Sequence, residues 1–121
     1  MSGLKAYTLG NHGFVPTHVR EALGQPIGRN QASVVIVAAS KKAAVTLAEQ
    51  VGVRVSYTDS EFRRNDGPAT ASVVAFTDGQ PGVFASPRLR RPGDPIVELL
   101  PDGWRLVGRY RQGGIDWTEE R

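Results

Sequence analysis

The chain has 121 residues, of which 15 are basic and 12 acidic, giving a formal net charge of +3. This length predicts a single domain, and 40% hydrophobic with 22% charged residues is typical of a folded chain rather than a disordered one. The absence of cysteine excludes disulfides, a cysteine nucleophile and thiolate metal sites. The longest apolar run, residues 34–39, is far shorter than the roughly 20 residues of a membrane-spanning helix, and no signal-peptide core follows residues 1–9. We therefore expect a soluble, cytoplasmic protein without a membrane partner.

The N-terminal segment predicts a strand followed by a short helix. Residues 4–9 include Tyr7 and Thr8, which favour extended structure. Residues 14–23 have the helix-start residues Pro16 and Thr17 near their beginning and are followed by Gly24.

Residues 33–52 predict a strand that leads directly into a helix. The apolar, β-branched run at 33–39 is typical of a strand buried on both faces. Ser40 stands where a helix N-cap belongs, and residues 41–51 carry alanine, leucine and valine at helical spacing. Gly52 supplies a left-handed stop after that helix.

The segment after Gly52 allows two interpretations, which are not mutually exclusive. Residues 53–57 alternate apolar and polar side chains, as a half-buried strand does. Alternatively, Ser56 or Thr58 caps a second helix that ends near Asn65.

Residues 46–53 are also similar to the start of a helix-turn-helix, since Ala48 and Gly52 stand at its small-residue positions. The second helix of that motif needs apolar residues about six and nine positions after the glycine. Thr58 and Glu61 stand there instead, which disfavours a DNA-reading helix.

The C-terminal half predicts strands and turns. We expect a strand at 72–77, a turn at 78–82 and a short strand at 83–85. A hairpin should join residues 96–100 to 104–111 through Pro101-Asp-Gly103, and Trp117 should dock from a polar tail.

These elements predict a single α+β domain over residues 1–112, with a tail at 113–121. The domain should contain a mostly antiparallel sheet, with one main helix (41–51) and one or two short helices on one face. The predicted core consists of eleven side chains: Val34, Val35, Ile36, Val37, Leu47, Val51, Val74, Phe76, Leu99, Trp104 and Leu106.

Basic side chains concentrate between residues 86 and 112. Three acidic residues lie there with six arginines: Arg88, Arg90, Arg91, Arg105, Arg109 and Arg111. Strand alternation places the last three arginines on one face, opposite Trp104 and Leu106, and the first three lie on a proline-flanked loop. This pattern allows a partner-binding surface, but a solvated outer face of a half-buried sheet is the more common origin of such a pattern.

No catalytic constellation stands out along the chain. Ser40 and two lysines follow the central strand without a glycine, so a phosphate-binding loop is absent there. His12 lies in an apparent turn, and His18 with Glu21 lacks a third ligand. We expect no enzyme activity, no metal and no cofactor; an enzyme using His18 and Glu21 is the alternative.

The Ser-Lys-Lys-Ala-Ala helix start, Gly52-Val53, the downstream Pro81-Gly-Val-Phe84 and the late Trp104 resemble small uncharacterised bacteriophage accessory proteins. The resemblance covers residues 33–87 and implies a non-catalytic protein that acts on a host macromolecule, such as a regulatory or defence protein. The leading hypothesis is therefore recognition of a host protein through the arginine hairpin and the loop at 86–93. The alternative is a nucleic-acid-binding protein that uses the same arginines.

Overall fold

A computed structural model of the chain describes residues 3–9, 19, 21, 23, 32–55, 58, 60, 62–87 and 91–118. Its elements, in chain order, are β1 (Lys5–Leu9), β2 (Ala32–Ala38), α1 (Lys41–Gln50), β3 (Phe62–Arg64), α2 (Pro68–Thr77), β4 (Gly82–Pro87), β5 (Pro95–Leu100), β6 (Gly103–Arg111) and β7 (Gly114–Trp117).

The strands form one seven-stranded sheet in the order β3-β1-β2-β4-β5-β6-β7, and every neighbouring pair is antiparallel. Helix α1 packs on one face of this sheet and α2 on the other, and we name the faces the α1 face and the α2 face. The α+β class and the antiparallel sheet are confirmed. The expectation of one main helix, with short helices on the same face, is wrong, because α1 and α2 have ten residues each and lie on opposite faces.

The position of β2 between two layers explains its apolar sequence. Val34 and Ile36 belong to the core of the α1 face, and Val35 and Val37 belong to the core of the α2 face. Since strand side chains alternate between the two faces, a strand covered on both sides needs apolar residues at every position. The predicted doubly buried strand is confirmed.

Helix α1 begins and ends where its sequence predicts. The Oγ of Ser40 accepts a hydrogen bond from the Ala43 amide at 3.1 Å, which satisfies one of the free N–H groups of the first turn. At the other end Gly52 has a φ of 82°, and the buried Val53 donates its amide to the Ala48 carbonyl at 2.9 Å.

The strand predicted at 72–77 is wrong, because these residues form the last two turns of α2. Pro68 stands at the first helical position, where its missing N–H costs no hydrogen bond. Burial recurs at Thr70, Val73 and Thr77, which is helical spacing, and Asp78 ends the helix in a left-handed conformation with a φ of 50°.

The helix predicted to end near Asn65 is also wrong. Residues 62–64 form β3, which pairs with β1, and Phe62 is fully buried on the α1 face. Arg54 makes an isolated β-bridge, in partial agreement with the predicted strand, whereas residues 56–57 lie outside the described part of the chain. None of the described residues from 53 to 65 is helical, so they provide no recognition helix.

The sheet curls around α2, and β7 contributes to this closure. Phe76 of α2 stacks on Trp117 of β7, with ring centroids 4.1 Å apart, and meets Phe84 of β4 edge to face at 6.1 Å. In a flat sheet β4 and β7 would lie about 14 Å apart, at ~4.8 Å per strand. A curled sheet brings the side chains of these two strands within reach of one ring. Trp117 docks as predicted, but it does so from a strand within the segment that was predicted to be a polar tail.

Most of the predicted core is confirmed. Val34, Val35, Ile36, Val37 and Leu99 are buried, and the other apolar members pack against the two cores as half-buried side chains: Leu47, Val51, Val74, Phe76 and Leu106. Trp104 is the exception, since 41% of it is exposed.

Most of the helix predicted at 14–23 lies outside the described residues. Of its members that the structure describes, Val19 and Leu23 are fully buried, and the Leu23 amide donates to the Val19 carbonyl at 3.1 Å. In the described ranges, no helix is long and apolar enough to cross a membrane.

Candidate binding surface

The hairpin and the loop that hold the predicted arginines meet in the fold. The Gly93 amide donates to the Tyr110 carbonyl at 2.7 Å, and the Tyr110 amide donates to the Asp94 carbonyl at 2.9 Å. The guanidinium of Arg109 adds a third bond, from Nη1 to the Gly93 carbonyl at 2.9 Å. These bonds fix residues 91–94 against the second half of β6.

A β-bulge divides the arginines of β6 between the two faces of the sheet. Val97 pairs with Leu106, but Ile96 pairs with Gly108, so Val107 is an extra residue on β6. An extra residue shifts the alternation of side chains, so that odd-numbered residues point to one face before the bulge and to the other face after it. Accordingly, the odd-numbered Val107 and the even-numbered Tyr110 both belong to the α2 face. The expectation that all three arginines share a face is therefore wrong.

Arg105 lies on the α2 face and is bound there. Its Nε and Nη2 each lie 2.9 Å from Oε1 of Glu98, which is opposite it on β5 and has only 4% of its side chain exposed. A buried carboxylate needs such a partner, because desolvation penalises an isolated charge. This arrangement gives Arg105 a structural role and places it on the opposite face of β6 from Arg109 and Arg111.

The other two arginines point to the α1 face, together with the exposed tryptophan. Trp104 lies opposite Leu99 on β5, and Leu99 belongs to the core of the α1 face. Arg109 lies opposite Asp116 on β7, and the Arg111 guanidinium binds the Asp116 carboxylate at 2.8 Å. We call the surface formed by Trp104, Arg109 and Arg111 the β6 strip. Its arginines are exposed, and Trp104 is the single exposed large apolar side chain in the described part of the chain.

The net charge of the β6 strip is small. Both members of the Arg111–Asp116 pair are more than half exposed, so this ion pair contributes little stability and neutralises one of the two arginines. Arg109 has no carboxylate partner among the described residues and donates only to a carbonyl. The β6 strip with Asp116 therefore carries one net positive charge beside a large aromatic side chain.

Of the three arginines predicted on the loop, the structure describes only Arg91. Arg91 is exposed and lines a cleft on the other side of β6, near the start of α2. Arg88 and Arg90 lie outside the described residues. The sequence did not predict Trp104 as a surface residue, and its position after a turn glycine was the only available hint.

The described residues provide no site for the histidine and glutamate residues considered for catalysis or metal binding. Glu21 is exposed, and His12 and His18 lie outside the described residues. The described ranges contain no group of three metal-ligating side chains. Comparison of the chain with protein-family models, with curated proteins and with solved structures finds no match.

Proposed function

We propose that the chain is a non-catalytic binding protein that recognises a protein of a bacterial host through the β6 strip. The observation that carries this proposal is the exposed Trp104, on the same face of β6 as Arg109 and Arg111. Tryptophan and arginine are the residue types that most often dominate binding energy at protein interfaces, because they combine a large apolar area with directed hydrogen bonds. The resemblance of residues 33–87 to bacteriophage accessory proteins supports a host partner.

A protein partner fits the β6 strip better than a nucleic acid does. Binding to a phosphate backbone depends on several uncompensated cations, and affinity falls with added salt in proportion to their number. Here Asp116 shares the face with Arg109 and Arg111, and would repel a phosphate. One unpaired cation beside an apolar side chain is enough to bind an acidic or aromatic patch on a protein.

The proposal is tested by capture from an extract of the bacterial host with two charge-matched variants. Arg109→Gln/Arg111→Gln removes both cations of the β6 strip, and Arg54→Gln/Arg63→Gln removes two exposed arginines elsewhere. We expect the wild type and the Arg54/Arg63 variant to retain the same host protein, while the Arg109/Arg111 variant loses it. Equal capture by all three proteins contradicts the proposal.

Nuclease treatment and a salt series separate the nucleic-acid alternative. If a captured partner disappears after nuclease digestion, or if the chain binds an oligothymidylate of twelve nucleotides with a steep salt dependence, the nucleic-acid function replaces the protein-binding one. We expect the captured protein to survive nuclease and to tolerate 200 mM salt.

A further inference from the structure

A cleft beside the last residues of β6, which reaches Arg111 of the β6 strip, has the composition of a small-molecule site. It lies between the first turns of α2, the segment Arg91–Pro92 and the hairpin that joins β6 to β7, and has a volume of about 630 Å³. Ligand sites in proteins commonly have volumes of about 300–1,000 Å³. The cleft is therefore large enough for a molecule of two or three fused or linked rings.

The walls of the cleft are mostly apolar. Pro68 and Ala69 of α2 form one wall, and Pro92, Tyr110 and Ile115 contribute to the others. The tyrosine ring is half-buried, and its hydroxyl lies 3.3 Å from Oγ of Ser86, which orients the ring. Proline and tyrosine rings offer flat surfaces on which a planar molecule packs well.

Five polar side chains also line the cleft, and two of them are the guanidinium groups of Arg91 and Arg111. The Arg91 amide donates to the Asp94 carboxylate at 2.9 Å, which anchors the backbone at this position. The Arg91 guanidinium has no partner among the described residues, whereas the guanidinium of Arg111, which also lines the cleft, is bound to Asp116. Ser72 and Gln112 add neutral hydrogen-bonding groups.

We propose that this cleft binds a small planar, mainly apolar molecule that carries one anionic group, with Arg91 as the residue that receives the anion. An arginine at the rim of an apolar cleft favours a carboxylate, sulfonate or phosphate, because charge-assisted hydrogen bonds are about twice as strong as neutral ones. The apolar walls account for the body of the ligand. The cleft shares Arg111 with the β6 strip but uses neither Trp104 nor Arg109, and Arg91 lies outside the strip, so a substitution of Arg91 tests the cleft alone.

The probe for this proposal is 8-anilinonaphthalene-1-sulfonate, compared with its uncharged analogue N-phenyl-1-naphthylamine. Both have the same ring system, and only the first has an anionic group. We expect saturable fluorescence binding of the sulfonate at one site, with ¹⁵N amide shifts at Ala69, Ser72 and Ile115, which line the cleft.

Two variants and one control variant test whether the probes bind in the cleft. Arg91→Gln should weaken binding of the sulfonate about tenfold or more, as expected for loss of a hydrogen bond to a charged group, and leave the uncharged analogue unaffected. Ala69→Trp, which fills the cleft, should weaken both probes, and Arg54→Gln, at an exposed arginine that does not line the cleft, should weaken neither. An amide spectrum of each variant verifies that it is folded.

The proposal is overturned if the sulfonate does not saturate, if its affinity is the same in Arg91→Gln, or if the shifted amides lie at Trp104 and Arg109 instead of at the cleft. Host-protein capture by Arg91→Gln should equal that of the wild type. Failure of the cleft proposal is thereby distinguished from failure of the proposed function.

Discussion

Gly108 faces strand β7 at a position that has no room for a side chain. A Cβ atom placed there would lie 2.9 Å from the Asp116 carbonyl oxygen and 3.0 Å from a ring carbon of Trp117. The backbone of Gly108 is not left-handed, so the requirement for glycine arises from this close approach alone. It keeps the ring of Trp117 against the sheet.

Gly108→Ala should therefore lower the free energy of unfolding by about 1–3 kcal/mol, the usual cost of overpacking. Gly103→Ala is the matched control, because its Cβ would meet no atom within 4 Å and its backbone is ordinary. Urea unfolding measures both variants. Equal midpoints for the two would show that β7 does not pack against β6 as described.

Val107 shows why the candidate site could be predicted only in part. The sequence predicted a hairpin whose second strand carries Arg105, Arg109 and Arg111, and the structure contains that hairpin. Nothing in the sequence marks Val107 as the extra residue of a bulge, because valine fits a regular strand equally well. One unmarked residue therefore moved Arg105 to the other face and left Arg109 and Arg111 beside Trp104.

Local sequence patterns predicted helices and strands well where the pattern was typical of one kind of secondary structure. Strand β2, helix α1 and the β5–β6 hairpin all lie within one or two residues of their predicted positions. Helix α2 was missed because Val73, Val74 and Thr77 are β-branched and favour a strand locally. Pro68 and the small residues that follow it start a helix, and packing of Val73 against the sheet stabilises it.

The contact between α2 and β7 makes a prediction at this scale. Trp117→Ala removes the ring that stacks on Phe76, and we expect a loss of about 2–3 kcal/mol in unfolding free energy, somewhat below that of a fully buried aromatic residue. Trp117→Phe should recover most of this loss, since it keeps a ring against Phe76. If urea unfolding shows Trp117→Ala to be as stable as the wild type, residues 114–117 behave as the polar tail that their sequence suggested.

At the scale of the whole molecule, one curled sheet separates two chemically different surfaces. The α1 side of β6 presents the exposed Trp104 with Arg109 and Arg111, and the α2 side holds the cleft next to Arg91, a cleft that reaches Arg111 only at the end of β6. The sequence could not show this separation, because it depends on the curl of the sheet and on the side of the sheet that α2 occupies. Both are long-range features, set by contacts between residues distant along the chain.

The most direct test of the β6 strip as the binding surface is photo-crosslinking in cells of the bacterial host. A benzophenone amino acid is introduced at position 104 in one variant and at position 63, exposed on the distant strand β3, in the other. Irradiation should link position 104 to one host protein and leave position 63 without that product. A nuclease-sensitive product at position 104, the same product from both positions, or none from either would show that the β6 strip is not a protein-binding surface.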